Sequence, residues 1–537
     1  MNVVSFLRPS IKETSPEEVR RLLREGQEIA LLDVREEAPF ASGHPLFAVN
    51  LPLGRIEERV VALLPRRTVP IVVYDNGEGR LIRAVTLLRQ LGYTDVSTLE
   101  GDLQGWKNSG GEIFIDVNVP SKAFGELVEH VRNTPSLPAE ELKARLDRGD
   151  DLVILDARRF SEYNTMSIPQ GRSVPGGELA LRVRDIAPSP TTTVVVNCAG
   201  RTRSIIGTQS LVNAGIPNPL FALRNGTIGW TLAGFTLDHG ADQREICLTP
   251  GNEQKARSHA VDLAVRTGVR TITPEELLRF ENDPSRSLYK LDVRSPEEYQ
   301  TEHLAGFHHA PGGQLVQATD EWVGVRHGTL VLTDTDGVRA RMAGHWLRQL
   351  GWQEVYVLDD WFDLPRETGP EPHRLAAPLS DVPTLSADDL AVELKIETPP
   401  LVLDLATSPV FRKGHIPEAF FILPADLVHN ERVVTAGAIV LTSPDGHVAH
   451  LVAPHLQNIN RNVRVLKGGT RAWEKTGRSL QAGLSDAEEL SAPVDVYKRP
   501  YEGTDNARVA MQAYLDWEFG LIAQLERDGT HGFNVLK

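Results

Sequence analysis

The chain repeats itself four times, and this repeat restricts the available folds more than any other feature. An apolar run ending in aspartate occurs as IALLDVREE (Asp33), LVILDARRF (Asp156), SLYKLDVRS (Asp292) and PLVLDLATS (Asp404). Further along each segment a second apolar run ends in a short polar loop: VPIVVYDNGEGR, TTVVVNCAGRTR, GTLVLTDTDGVR and GAIVLTSPDGHV. A third run leads to a tryptophan, in VSTLEGDLQGW (Trp106), LFALRNGTIGW (Trp230), VYVLDDW (Trp361) and VRVLKGGTRAW (Trp473). Aligned on the first loop residue, Asp75, Cys198, Asp334 and Ser443 are equivalent. Seventeen positions further stand Gly92, Gly215, Gly351 and Asn460. Glycine and asparagine tolerate the left-handed backbone that closes a helix. Each loop is therefore expected to open a helix of about three turns, which ends in LLRQLGY and WLRQLGW in units one and three.

Short apolar strands alternate with amphipathic helices. In SPEEVRRLLREG, Val19, Leu22 and Leu23 share one face and Ser15 stands as N-cap. Continuous apolar strands separated by helices imply parallel sheets covered on both faces. In such sheets the ligand site lies at the strand C-termini, which is where Cys198 falls. Helical connectors surround SKAFGELVEHVRN and EQKARSHAVDLAVRT, and ETGPEPHRLAAPLSDVP is a Pro-rich linker. With connectors assigned to the unit they precede, the segments are 11–110, 111–240, 241–372, 373–482 and a tail, 483–537. The tail segment ARVAMQAYLDWEFGLIAQLERDG reads as a helix that packs on the body or makes a homodimer contact.

The net charge of −15 argues against nucleic acid and anionic membranes as partners. No apolar stretch approaches the ~18 residues of a membrane span, and the N-terminus shows no secretory signal pattern. Two cysteines, Cys198 and Cys247, exclude a disulfide framework and a cysteine-rich zinc site, and fit a cytoplasmic location. The histidines form no HxxxH or HExxH pair, so no metal is expected. A GxG in NGEGR lacks the third glycine of a dinucleotide site.

The loop VVVNCAGRTRS places a thiol where loop amides and a helix N-terminus converge, a natural anion cradle. Cys198 is expected to have a depressed pKa there, helped by Arg201 and Arg203. Gly200 lets the chain turn without blocking the cradle. Cys247, in REICLTPGNE, has no such setting and reads as an incidental or structural thiol.

With the aspartate-ended strand, the Cys-x4-Arg loop and the tryptophan motif together, the chain resembles the tandem rhodanese family of sulfurtransferases. The resemblance covers all but the connectors and tail. It implies an α/β fold of four rhodanese-like three-layer domains, each a central, mostly parallel sheet flanked by helices. It further implies that Cys198 attacks the outer sulfur of an anionic donor such as thiosulfate and passes it, as a persulfide, to cyanide or a thiol. Ala199, Gly200, Arg201, Thr202, Arg203 and Ser204 would hold the persulfide and donor. Asp156 matches the family's structural aspartate, and Arg158 beside it is counted with the donor-binding residues. No cofactor is called for. Asp75, Asp334 and Ser443 depart from the pattern and imply inactive units, one of which is open to a role in docking an acceptor protein. Two other readings stand beside this one. A phosphatase or arsenate reductase of the related type resembles Cys-x5-Arg, one residue longer than this loop. A persulfide carrier or scaffold would serve a dedicated protein partner. Mercaptopyruvate-using relatives resemble Cys-Gly-x-Gly-x-Thr, and CAGRTR lacks the second glycine.

Overall fold

The computed structural model describes residues 11–244, 247–361, 363–376, 379, 381–457, 459 and 462–537. Each repeat forms one five-stranded sheet, and all four sheets have the same strand order. In unit two the order across the sheet is Ser136–Leu137, Leu220–Leu223, Thr193–Asn197, Leu152–Asp156 and Arg172–Ser173. Every neighbouring pair in it is parallel. The only antiparallel strand pair among the described residues, His303–Leu304 with Arg366–Glu367, lies outside the four sheets.

The strand Thr193–Asn197 is buried along its whole length and serves both faces of its sheet. Alternate side chains of a strand point to opposite faces. Val194 and Val196 accordingly pack with Leu179, Val183 and Leu211, while Val195 packs with Leu142 and Trp230. This produces two apolar layers, one on each side of the sheet. The helix expected from SPEEVRRLLREG spans Pro16–Glu25, with the Ser15 side chain accepting the Glu18 N–H at 3.2 Å. The helix-closing glycines Gly92, Gly215 and Gly351 have φ of +90°, +64° and +86°. Asn460 lies outside the described residues.

The strand-end aspartates are buried, and three of them are paired with an arginine two residues on. Arg158 donates to Asp156 at 2.9 and 2.7 Å and to the Met166 carbonyl at 2.6 Å. Arg35 with Asp33 and Gly43, and Arg294 with Asp292 and Glu302, repeat the arrangement. The pair ties the strand end to the loop after the next helix. Unit four has Ala406 in place of the arginine, and Asp404 accepts the Ala406 N–H at 2.9 Å and the Thr470 hydroxyl at 3.3 Å. Burial pushes the Asp404 carboxyl upward.

Units meet pairwise through equivalent loops. A Cβ on Gly177 of unit two would lie 2.8 Å from the Gly313 amide nitrogen of unit three, so only glycine permits this approach. Arg339 of unit three crosses the same contact to Glu178 at 2.8 Å. Unit one meets unit four at the corresponding place, where a Cβ on Gly54 would lie 2.7 Å from Pro424.

The tail forms two helices, Arg508–Phe519 and Leu521–Asp528. Met511, Tyr514 and Leu515 pack on Ile228 of unit two, and Leu521 and Leu525 pack on Phe114, Val119 and Ala123. Of the two readings of the tail, the structure has the one in which it packs within the chain. No helix among the described residues is long and apolar enough to cross a membrane.

Removing one partner of a buried ion pair strands a charge, at a cost of about 3–5 kcal/mol. Arg158→Leu is therefore expected to lower the thermal midpoint of unit two markedly. Asp404→Asn, at a carboxyl with no guanidinium partner among the described residues, should lower that of unit four far less. Calorimetric melting of the two variants checks this, and equal shifts would contradict it.

Candidate active site

Cys198 directly follows the buried strand Thr193–Asn197, and the helix Thr202–Asn213 begins four residues later. The strand end is held by Asn197, whose side-chain amide donates to Asp156 at 3.0 Å. The loop is pinned from behind by the tryptophan motif. Thr227 N–H donates to the Cys198 carbonyl at 2.9 Å and Ile228 N–H to the Ala199 carbonyl at 3.0 Å. Gly226, with φ +53°, makes this possible, because a Cβ there would lie 2.2 Å from the Cys198 carbonyl oxygen.

Among the described residues, no acceptor meets the backbone N–H groups of Ala199 to Arg203. The equivalent loops of units one and three fill theirs from within. The Asp75 carboxylate accepts from Gly77, Arg80 and Leu81 at 2.8, 2.5 and 3.2 Å. The Asp334 carboxylate accepts from Gly337 and Ala340, both at 2.7 Å. Burial and the neighbouring Asp336 push the Asp334 carboxyl up to about 7. In unit four the Ser443 hydroxyl accepts the Ala449 N–H at 3.4 Å. The loop backbone therefore seats a carboxyl group in the two aspartate units.

The predicted residues do gather around the thiol, but several face away from it. Cys198 Sγ lies 3.5 Å from the Ser204 hydroxyl, which itself donates to the Arg201 carbonyl at 2.7 Å. Thr202 packs against Gly125 of the helix Val119–Arg132 that links units one and two. The Arg201 guanidinium turns to that same helix, donating to Glu126 at 2.6 and 2.8 Å and pairing with Glu129. It also lies over the Phe519 ring at 4.3 Å. Arg203 is held by Glu162 through two bonds of 2.8 Å. Burial works to raise the Glu162 carboxyl, but Arg203 and Arg158 outweigh it and hold it at about 2. Arg158 is engaged by Asp156 and Met166, an arrangement that units one and three share without a thiol.

The expected depression of the Cys198 pKa is overturned. Its side chain is 2% exposed, and this burial pushes the thiol upward. Arg203 and the Ser204 hydrogen bonds pull it down, while Glu518 adds to the rise. Sequence reading counts the two loop arginines but not Glu126, Glu129 and Glu162, the carboxylates that neutralise them.

The tail closes the site and was not foreseen there. A Cβ on Gly200 would lie 3.2 Å from the Tyr514 ring and 3.4 Å from Glu518 Oε2. Beneath the tail, Lys122 is buried against Asp116 at 2.8 Å and lies between 5.2 and 5.8 Å from the rings of Tyr501, Tyr514 and Trp517. The one signal in the sequence was the helical spacing of Tyr514 and Glu518, an aromatic and an acid on one face.

Cys247 is exposed and lines a cavity of about 910 Å³ between units two and three, with Phe160, Arg244 and Trp322; Cys198 is not part of that lining. His373, Asp445 and His447 form the one group among the described residues with ligand atoms close enough to hold a metal ion. Arg471 also faces the Asp445 carboxylate, at 3.8 Å, and opposes a cation there.

A family model described as the rhodanese-like domain matches residues 15–109, 138–233, 273–363 and 386–476. The crystal structure of thiosulfate sulfurtransferase from Pseudomonas aeruginosa superposes with a TM-score of 0.95 at 50% identity, over 98% of this chain and 100% of that one. Among curated relatives, the uncharacterized protein YqhL of Bacillus subtilis is 35% identical over 103 residues, 19% of this chain and 75% of its own. Thiosulfate sulfurtransferase PspE of Escherichia coli is 30% identical over 70 residues, 13% of this chain and 67% of its own. With each of its four sheets falling within one of the matched segments or just at its edge, the chain belongs to the rhodanese-like domain family.

Proposed function

We propose that this protein is a sulfurtransferase that takes the outer sulfur of thiosulfate onto Cys198 and delivers it to cyanide or a thiol. The observation that carries the reading is the contrast between loops. Two units fill the amide cradle with their own carboxylate, whereas unit two has a thiol there and N–H groups without an acceptor. The 50% identical relative over the full chain, named a thiosulfate sulfurtransferase, supports the donor.

The chemistry is a pair of displacements at sulfur. The Cys198 thiolate attacks the outer sulfur of thiosulfate, the S–S bond breaks, and sulfite leaves with the electron pair. Cys198 is now a persulfide. Cyanide attacks the terminal sulfur, departs as thiocyanate, and leaves the thiolate. The amides of Ala199 to Arg203 hold the charge that persists on the outer sulfur or on sulfite. Arg203, bound to Glu162, contributes its field, which already lowers the thiol. Arg201 braces the loop against the connector helix through Glu126. Cys198 is 2% exposed, which favours small acceptors over a docked carrier protein. The loop stays one residue shorter than the phosphatase type.

Cys198→Ala is expected to abolish thiocyanate formation from thiosulfate and cyanide, a loss of at least about a thousandfold. Cys247→Ala should retain it. Turnover that survives Cys198→Ala would refute the assignment. Because burial raises the Cys198 thiol, its thiolate fraction grows tenfold per pH unit below the pKa. Alkylation of Cys198 by neutral iodoacetamide should therefore climb steadily through neutral pH. A plateau reached below pH 7 would contradict the raised thiol.

A further inference from the structure

Glu518 is a buried acid that the transfer chemistry leaves without a role. It sits near the end of the helix Arg508–Phe519, which is fastened to unit two through Met511, Tyr514 and Leu515 on Ile228. Its side chain is 1% exposed. Oε1 accepts the Tyr514 hydroxyl at 2.8 Å, while Oε2 is buried with no hydrogen-bond partner. That unpartnered oxygen is the one facing Gly200, in the loop whose amides also meet no acceptor. A buried polar atom left unpaired costs free energy and calls for an explanation.

We propose that Glu518 is the residue that selects the anions admitted to Cys198: as a neutral acid it donates a hydrogen bond to an anion at the loop, and as a carboxylate it repels one. The inference rests on the proposed reading of the Cys198 loop as the site of an anionic donor. The groups facing Glu518 come from three elements. Glu126 and Lys122 lie on the connector helix, Arg201 on the loop, and Tyr514 on its own helix. Tyr501 and Asp116 stand around Tyr514. Both cations are already bound to other carboxylates, Lys122 to Asp116 and Arg201 to Glu126 and Glu129. Neither is free to hold Glu518 ionised. Burial and Glu126 raise its carboxyl to about 8, against the pull of Lys122, Tyr514 and Arg201. Near neutral pH the group is thus an acid, and with Oε1 accepting from Tyr514 its hydrogen sits on the unpartnered Oε2 that faces Gly200. The same negative charge, once formed, also disfavours the Cys198 thiolate.

Two alkylating reagents separate the effects. Iodoacetate and iodoacetamide both need the thiolate, so the ratio of their rates cancels the ionisation of Cys198 and reads the charge beside it. On the whole protein between pH 6 and 10, the iodoacetate to iodoacetamide ratio is expected to fall about tenfold as pH rises through 8, the size of a like-charge contact at a half-screened site. In Glu518→Gln the ratio should stay flat. A ratio that is constant in the wild type, or that falls equally in Glu518→Gln, overturns the proposal. Should Glu518→Gln fail to fold, Tyr514→Phe serves. It removes a hydrogen bond that favours the carboxylate, so the fall should move to higher pH, and an unmoved midpoint overturns the proposal. Thiosulfate turnover, divided by the iodoacetamide rate to cancel the ionisation of Cys198, should show the same fall above pH 8 in the wild type. If there is no turnover at all but the ratio falls as described, the gate stands and the thiosulfate assignment fails.

Discussion

Backbone N–H groups at the end of a buried parallel strand call for an acceptor, and the structure poses that demand in each of its four units. Strand, loop and helix converge on the same point in each unit, because one strand order builds all four. Where the chain supplies a carboxyl group, as at Asp75 and Asp334, the demand is met internally. A sulfur compound brought to such a loop has to compete with an acid already seated by hydrogen bonds. At Cys198 the loop N–H groups meet no acceptor among the described residues, and a thiol stands beside them.

Placing a thiol in such a cradle creates an electrostatic conflict that the surrounding elements resolve. Arg201 and Arg203 are each held by carboxylates, so they orient the loop and temper its field rather than waiting bare for a ligand. The connector helix provides Lys122, Glu126 and Glu129, and the tail provides Tyr514, Glu518 and Phe519. The site is therefore a property of the full chain. Unit two alone carries a cysteine at this loop position, but the walls around it come from segments outside its sheet. Unit three acts in the same sense, with its Arg339 reaching Glu178 of unit two beside the paired glycines.

The fold was legible in the sequence because its determinants are local and repeated. Apolar runs and the glycines at equivalent helix ends recur at fixed spacing, a tryptophan follows each third run, and each reports a backbone requirement. Cys198 and its loop were legible for the same reason. The neutralising acids were not, since Glu126 lies 75 positions from Arg201 along the chain and Glu518 comes from the tail. Burial of the thiol was also hidden, because it depends on where a distant helix lands. Arg158 is the converse case: its place beside the strand-end Asp156 suggested a donor-binding role, while its bidentate bond to Asp156 recurs in units with no thiol.

The most direct measurement is peptide mass mapping of the whole protein after brief exposure to thiosulfate, with free donor removed and thiols blocked. The account predicts one additional sulfur atom on the peptide containing Cys198, removed by cyanide with release of thiocyanate. Added sulfur on the Cys247 peptide, or none on Cys198, would contradict it.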